Sequence, residues 1–185
     1  MKVIAFTGMP CAGKSEAVAI AKQNDILVVR MGDLIWEETK NRGLALDGKN
    51  VGFVADEMRK VHGNDIWAKR TVEKINSLSP RPEMLVIDGL RTPRELEFFK
   101  QNLEADFLVV AIKASDQIRL NRFLSRNRTD DSSEESEFVA RDEREKSWGL
   151  VEAIDKADIS IVNEEGFEEF RQKIIALFDD ILSNG

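Results

Sequence analysis

The sequence predicts an α/β fold with a five-stranded parallel sheet. Three observations carry this: five short apolar runs separated by helical stretches, a glycine-rich turn directly after the first run, and an aspartate that closes the third. Strands that alternate with helices pair in parallel through right-handed crossovers, which puts helices on both faces and gives three layers.

The first strand is read at residues 2–7, Lys2 to Thr7. A turn leads from it into Lys14-Ser15-Glu16-Ala17-Val18-Ala19-Ile20-Ala21-Lys22, good helix formers throughout. Ile26 to Met31 reads as the second strand, because a short valine-rich run bounded by polar residues fits a strand buried on both faces. Between Gly32 and Ser79 no comparable run occurs. Leu34, Ile35 and Glu38, then Val51, Val54, Ala55 and Met58, fall at helical spacing, and Gly43, Gly48 and Gly63 punctuate them, so residues 32–79 read as a mostly helical insertion.

Pro80-Arg81-Pro82 breaks the chain before the third run, Met84-Leu85-Val86-Ile87-Asp88-Gly89. In Thr92-Pro93-Arg94-Glu95 the threonine is a cap, the proline suits the first helical position, and the glutamate stands where a reciprocal capping box requires it. Phe107 to Ile112 and Asp158 to Asn163 are the fourth and fifth strands, with charged helical stretches at 115–128 and 134–156 between them. Thr129 to Ser136 is polar enough for a loop, although Ser132 and Glu135 also suit the cap of the next helix. Ile174, Leu177, Phe178 and Ile181 recur three and four apart, as in an amphipathic helix covering a sheet. The expected organisation is one domain, with a core of 1–31, 80–118 and 137–185 and two further segments, the helical insertion of 32–79 and a lid of 119–136.

The composition, 42% hydrophobic and 33% charged over 185 residues, is that of a globular chain, and no run approaches the roughly 20 apolar residues of a membrane span. The opening residues read as a strand rather than a signal segment. The single cysteine, Cys11, rules out an intrachain disulfide and a cysteine-cluster metal site, and it suits a reducing compartment, so the cytoplasm is expected. A formal charge of −7 argues against general attraction to nucleic acid. Local basic clusters still suit one phosphorylated small molecule, and the oligomeric state is left open.

Gly8-Met9-Pro10-Cys11-Ala12-Gly13-Lys14-Ser15 matches the pattern G-x-x-x-x-G-K-[ST] between a predicted strand and a predicted helix. Glycines allow successive N–H groups to turn towards phosphate oxygens at a helix N-terminus, where the dipole also favours negative charge. Residues Gly8 to Glu16 are therefore expected to hold ATP, with Lys14 at the β- and γ-phosphates and the Ser15 hydroxyl on Mg²⁺. This makes the fold a three-layer P-loop NTPase. Within the loop, Cys11 reads either as an oxidisable thiol at a helix N-terminus or as a small side chain that fits the turn.

Asp88, at a strand end, is the second expected Mg²⁺ partner; the alternative is an aspartate that opens the turn at Gly89. Arg91 lies beyond the same strand end, where it is expected to grip an acceptor's phosphate or carboxylate unless it is an ordinary surface arginine. Arg119, Arg122, Arg126 and Arg128 form a basic group, and the first three share a helix face. Arg122 and Arg126 are expected to neutralise the transferred phosphoryl group from a lid; the alternative is a solvated face paired with Asp130 and Asp131. Arg141 and Arg144 either assist from the far side of that lid or pair with Asp142, Glu143 and Glu145.

Together with Met31-Gly32-Asp33-Leu34-Ile35, Ile87-Asp88-Gly89-Leu90-Arg91, Arg141 to Gly149 and Ala157 to Asn163, the loop resembles the adenylate-kinase-like nucleoside monophosphate kinases and the dephospho-coenzyme-A kinases. More closely, the whole chain resembles an uncharacterised archaeal family of such proteins. The resemblance implies Mg²⁺-dependent transfer of the ATP γ-phosphate to a nucleotide or nucleotide-like small molecule. Cys11 stands where adenylate kinases usually have glycine, and Gly89-Leu90-Arg91 lacks one residue of their motif. In relatives that phosphorylate a hydroxyl, an aspartate placed like Asp33 orients the acceptor and takes its proton; its other reading is the cap of a helix beginning at Leu34. Trp36 and Trp67 line either the acceptor pocket or apolar helix faces. His62 has no cysteine or histidine companions, so no transition-metal site is expected. The competing reading is an ATPase or regulatory module acting through a protein partner, although a guanine-specifying N-K-x-D and an L-S-G-G-Q signature are both absent.

Overall fold

The computed structural model describes residues 1–125 and 134–183. Its strands are β1 (Lys2–Thr7), β2 (Leu27–Arg30), β3 (Met84–Asp88), β4 (Asp106–Lys113) and β5 (Ile159–Val162). All pair in parallel, in the order β2-β3-β1-β4-β5. Between them run α1 (Lys14–Gln23), α2 (Met31–Asn41), α3 (Gly48–His62), α4 (Ile66–Asn76), α5 (Pro93–Asn102), α6 (Asp116–Leu124), α7 (Glu135–Ser147) and α8 (Leu150–Asp155), and α9 (Phe167–Ser183) ends the described chain.

Strand β1 is central and apolar from Val3 to Phe6 because both of its faces are covered. Val3 and Ala5 join Leu85, Ile87 and Val109 in a core roofed by residues of α2 to α5, whereas Ile4 and Phe6 join Val86, Val110 and Ile112 beneath α1 and α9. On that second face Phe178 of α9 meets Phe6 edge-on, with ring centroids 6.4 Å apart.

The capping box at α5 forms as its sequence requires. Thr92 Oγ1 accepts from the Glu95 N–H at 3.0 Å, and Glu95 Oε2 accepts from the N–H groups of Thr92 (3.0 Å) and Arg91 (2.8 Å). Glu95 is fully buried, and its Oε1 takes Arg59 Nη2 at 3.1 Å. A buried cap is thus also a tie between α3 and α5. Trp67 is fully buried in the first core, its Nε1 donating to the Ala55 carbonyl at 3.4 Å, while Trp36 is 48% exposed.

Three boundaries differ from the sequence reading. Strand β2 stops at Arg30 and α2 begins at once with Met31, so Asp33 lies inside the first helical turn and does not cap a helix starting at Leu34. Gly32 is no break: it occupies the helix with open space around it. Within the charged stretch 115–128, α6 runs from Asp116 to Leu124 and Ser125 ends it, and Arg126, Arg128, Asp130, Asp131 and Ser132 lie outside the described residues. The stretch 134–156 is two helices, because Gly149 at φ +93° ends α7. A Cβ there would sit 3.1 Å from Pro93 Cδ, so glycine serves both the turn and its contact with α5. Among the described residues, no helix is long and apolar enough to cross a membrane.

Candidate phosphate-binding site

The segment between β1 and α1 is bent by residues at positive φ: Gly8 (+147°), Cys11 (+62°) and Gly13 (+118°). Gly8 is pressed on β4, where a Cβ would lie 2.3 Å from the Ile112 carbonyl oxygen. Carbonyls of this loop are held from outside. Arg119 Nη1 on α6 donates to Pro10 O at 2.9 Å, Arg122 Nη1 to Ala12 O at 3.3 Å, and Asn163 Nδ2, just beyond β5, to Ala12 O at 2.8 Å. Arg122 Nη2 also reaches Asn163 O at 3.0 Å, so α6, the loop and the end of β5 are tied together. Cys11 is buried against Phe123 and Phe138, a small side chain in an apolar seat.

Lys14 opens α1 and folds back over the loop. Its Nζ donates to the carbonyls of Gly8 and of Met9, the latter at 3.1 Å. Burial lowers its pKa to about 8; Glu145 and Asp88 oppose that shift, and Arg91 and Arg141 add to it. These influences identify what surrounds the ammonium group. Ser15 and Glu16 occupy the same first turn, with Ser15 exposed.

Parallel pairing sets the far wall. Phe6 of β1 and Arg30 of β2 are both in register with Asp88, so its carboxylate stands between two neighbouring strand ends. Arg30 Nε lies 3.3 Å from Asp88 Oδ2, and Arg30 Nη1 lies 3.7 Å from Asp33 Oδ1. One arginine therefore links the aspartate expected on the metal to the aspartate expected at the acceptor. Thr7 Oγ1 donates to Leu90 O at 2.9 Å and fixes the turn after β3 beside the loop. From that turn Arg91 Nη1 returns to Gly89 O at 2.9 Å, and its Nε is 3.5 Å from Glu145 Oε2.

Lys14, Asp88 and Arg91 thus converge on the C-terminal ends of β1 and β3, with Asp33 at the rim. Arg122 stands behind the loop, holding its carbonyls, and Arg126 is outside the described residues. Arg119 is 1% exposed and locked to Asp142 through both guanidinium nitrogens, so it is neither a solvated charge nor a swinging one. Four contributors escaped the sequence reading: Arg30, Asn163, Arg119 as an anchor, and Glu145. Glu145 is buried on α7, with its Oε1 3.5 Å from Arg141 Nε. Burial pushes its carboxyl pKa up, but Arg91, Lys14, Arg141 and Arg144 outweigh this and hold it below the usual range. Burial acts to lower the pKa of Arg91, but Glu145, Glu95 and Asp88 outweigh it and keep the guanidinium charged.

The residues present suit a triphosphate with a hard divalent cation. No Cβ fits at Gly13, whose position would place one 2.1 Å from Asn163 Nδ2, and Ser15 and Asp88 offer oxygen donors. Among the described residues, no group of three or more His, Cys, Asp or Glu is placed to hold a metal. Two hollows of about 370 and 770 Å³ lie away from this cradle, one beside Thr92 and Trp148 and the other at the opposite end of the sheet, along Lys2 and Phe107.

Residues 7–138 match the AAA domain family. A UPF0200/UPF0201 protein of Archaeoglobus fulgidus is 43% identical over 174 residues, which are 94% of this chain and 54% of that protein, so the chain spans about half the length of this relative. A UPF0200 protein of Methanosarcina acetivorans is 41% identical over 184 residues, covering 100% of this chain and 95% of that one. Among solved structures, the shikimate kinase of Acinetobacter baumannii in complex with shikimate has a TM-score of 0.61 at 18% identity, covering 100% of this chain and 94% of its own. A gluconokinase of Sinorhizobium meliloti 1021 has a TM-score of 0.60 at 14% identity, covering 99% and 94%. Those two likenesses establish a shared three-layer α/β fold. The chain itself belongs to the UPF0200 family and, through residues 7–138, to the AAA domain family.

Proposed function

We propose that this chain is an ATP-dependent small-molecule kinase that transfers the γ-phosphate to a nucleotide or nucleotide-like acceptor. The observation that carries this reading is the convergence of Lys14, Asp88 and Arg91 around a phosphate loop at the C-terminal ends of β1 and β3. The fold shared with a shikimate kinase and a gluconokinase supports transfer to a small molecule.

In this reading Gly8 to Glu16 form the donor cradle. Its carbonyls are already taken by Arg119, Arg122 and Asn163, so the cradle needs little reorganisation to receive an anion. Lys14 exchanges the carbonyls of Gly8 and Met9 for oxygens of the β- and γ-phosphates. Ser15 and Asp88 hold Mg²⁺, which supplies neutralisation of phosphate charge. Arg91 grips the anionic group of the acceptor. Asp33, kept at the rim by Arg30, orients a hydroxyl acceptor and accepts its proton. Helices α2 to α4, within 32–79, form the acceptor lobe. Arg122 steadies the loop from behind, and Arg126, in the lid expected at 119–136, is left to neutralise the transferred group.

The test is incubation with γ-labelled ATP and Mg²⁺ against nucleoside monophosphates, dephospho-coenzyme A, hydroxy acids and a metabolite extract, followed by identification of the labelled product. A labelled small molecule is expected. Hydrolysis stimulated only by a macromolecule, with no such product, would overturn the reading.

A further inference from the structure

Helix α7 turns Phe138, Asp142 and Glu145 inward at spacings of four and three, so three residues of a strongly charged segment share one buried face. Asp142 takes Arg119, which in turn holds the Pro10 carbonyl of the phosphate loop. Less than one turn further on, Glu145 approaches Arg91 and Arg141, each with a 3.5 Å nitrogen-to-oxygen distance, and it is 4% exposed. It also lies near enough to Lys14 to favour that residue's charged form. Lys14 and Arg91 are the cations that the proposed function assigns to the donor phosphates and to the acceptor's anionic group. A carboxylate this buried is tolerated only with such partners, and a phosphate entering the site meets both the cations it needs and an anion already holding them.

We propose that Glu145 is the positioning anion of the phosphate site: it keeps Arg91 and Arg141 ordered beside Lys14 when no phosphate is bound, and it competes with phosphate for them. This inference rests on the reading that the Gly8–Ser15 loop binds donor phosphates. Its consequence runs against the usual effect of altering an active-site residue. Glu145→Gln preserves shape and removes the competing charge, so phosphate affinity rises while the guanidiniums lose their fixed orientation.

The experiment is calorimetric titration of the full chain and of Glu145→Gln with pyrophosphate and with Mg-ATP. A Kd lowered about tenfold in the variant, equivalent to ~1.4 kcal/mol, is expected. Glu145→Asp, which retains charge but draws it back from both guanidiniums, gives a smaller change of the same sign. In an Arg91→Gln background the gain from Glu145→Gln shrinks, because the cation released is no longer there. An unchanged or raised Kd in Glu145→Gln overturns the proposal. So does loss of folded protein in both Glu145 variants, which would make the residue a structural brace. An unaltered chain that binds neither probe contradicts the phosphate-loop reading itself, whereas binding by the unaltered chain without a gain in the variant contradicts only the role of Glu145.

Discussion

The side-chain amide of Asn163 lies 2.1 Å from the point where a Cβ on Gly13 would stand, and it donates to the neighbouring Ala12 carbonyl at 2.8 Å. The end of β5 is therefore packed against the phosphate loop with no room for a methyl group. Gly13→Ala must move Asn163 and also hold alanine at φ +118°, and strain of that kind costs about 1–3 kcal/mol. Chemical denaturation is expected to show a loss of at least this size, together with loss of ATP binding. Adding Asn163→Ala removes the obstruction, so the double variant regains part of the stability lost by Gly13→Ala alone. A double variant no more stable than Gly13→Ala would contradict this relationship.

Lys14 gives a pH prediction whose sign is opposite to that of a paired surface lysine. Its folded pKa of about 8 lies below the ordinary 10.5, so between those values the unfolded chain binds more protons and stability rises with pH. Below pH 8 the cost of burying the ammonium group is fully present. A bound triphosphate restores the charged form, and binding at pH 8 should then take up roughly half a proton per chain. Calorimetry in buffers of different ionisation enthalpy measures this uptake. Its absence in the unaltered chain, or its persistence in Lys14→Met, would count against the burial of Lys14 in the site.

Arg119 and Asp142 form a buried pair in which Arg119 is also the support for Pro10. Asp142→Ala leaves that guanidinium buried without its main partner, for which a loss of about 3–5 kcal/mol is typical. The expected result is a lower denaturation midpoint and weaker ATP binding together. Replacing both residues with leucine removes the stranded charge and should cost less stability than Asp142→Ala, while still loosening the loop.

What the sequence made legible was chemistry confined to a few consecutive residues. The loop from Gly8 to Ser15, the capping box at Thr92 and Glu95, and Asp88 at a strand end each announce themselves through local backbone requirements. Glu145 does not, because Arg141-Asp142-Glu143-Arg144-Glu145-Lys146 alternates in charge like a solvated helix surface, and only the packing of α7 on the loop separates its buried acids from its exposed ones. Arg119 shares a helix with Arg122, yet its role depends on Asp142, 23 residues away. Arg30 was hidden because a strand read through Met31 and a helix read from Leu34 misplace the junction of β2 and α2 and separate Arg30 from Asp33 and Asp88. Tertiary pairing, rather than residue type, decided each of these.

The central claim is that the Gly8–Ser15 loop binds ATP and delivers its γ-phosphate to a small molecule. It is tested most directly by following the label from γ-labelled ATP in the unaltered chain and in Lys14→Ala, with folding of both checked by circular dichroism. ATP binding and a labelled small-molecule product are expected with the unaltered chain, and no labelled product with a folded Lys14→Ala. Equal product formation by the two proteins, or no ATP binding by the unaltered chain, would contradict it.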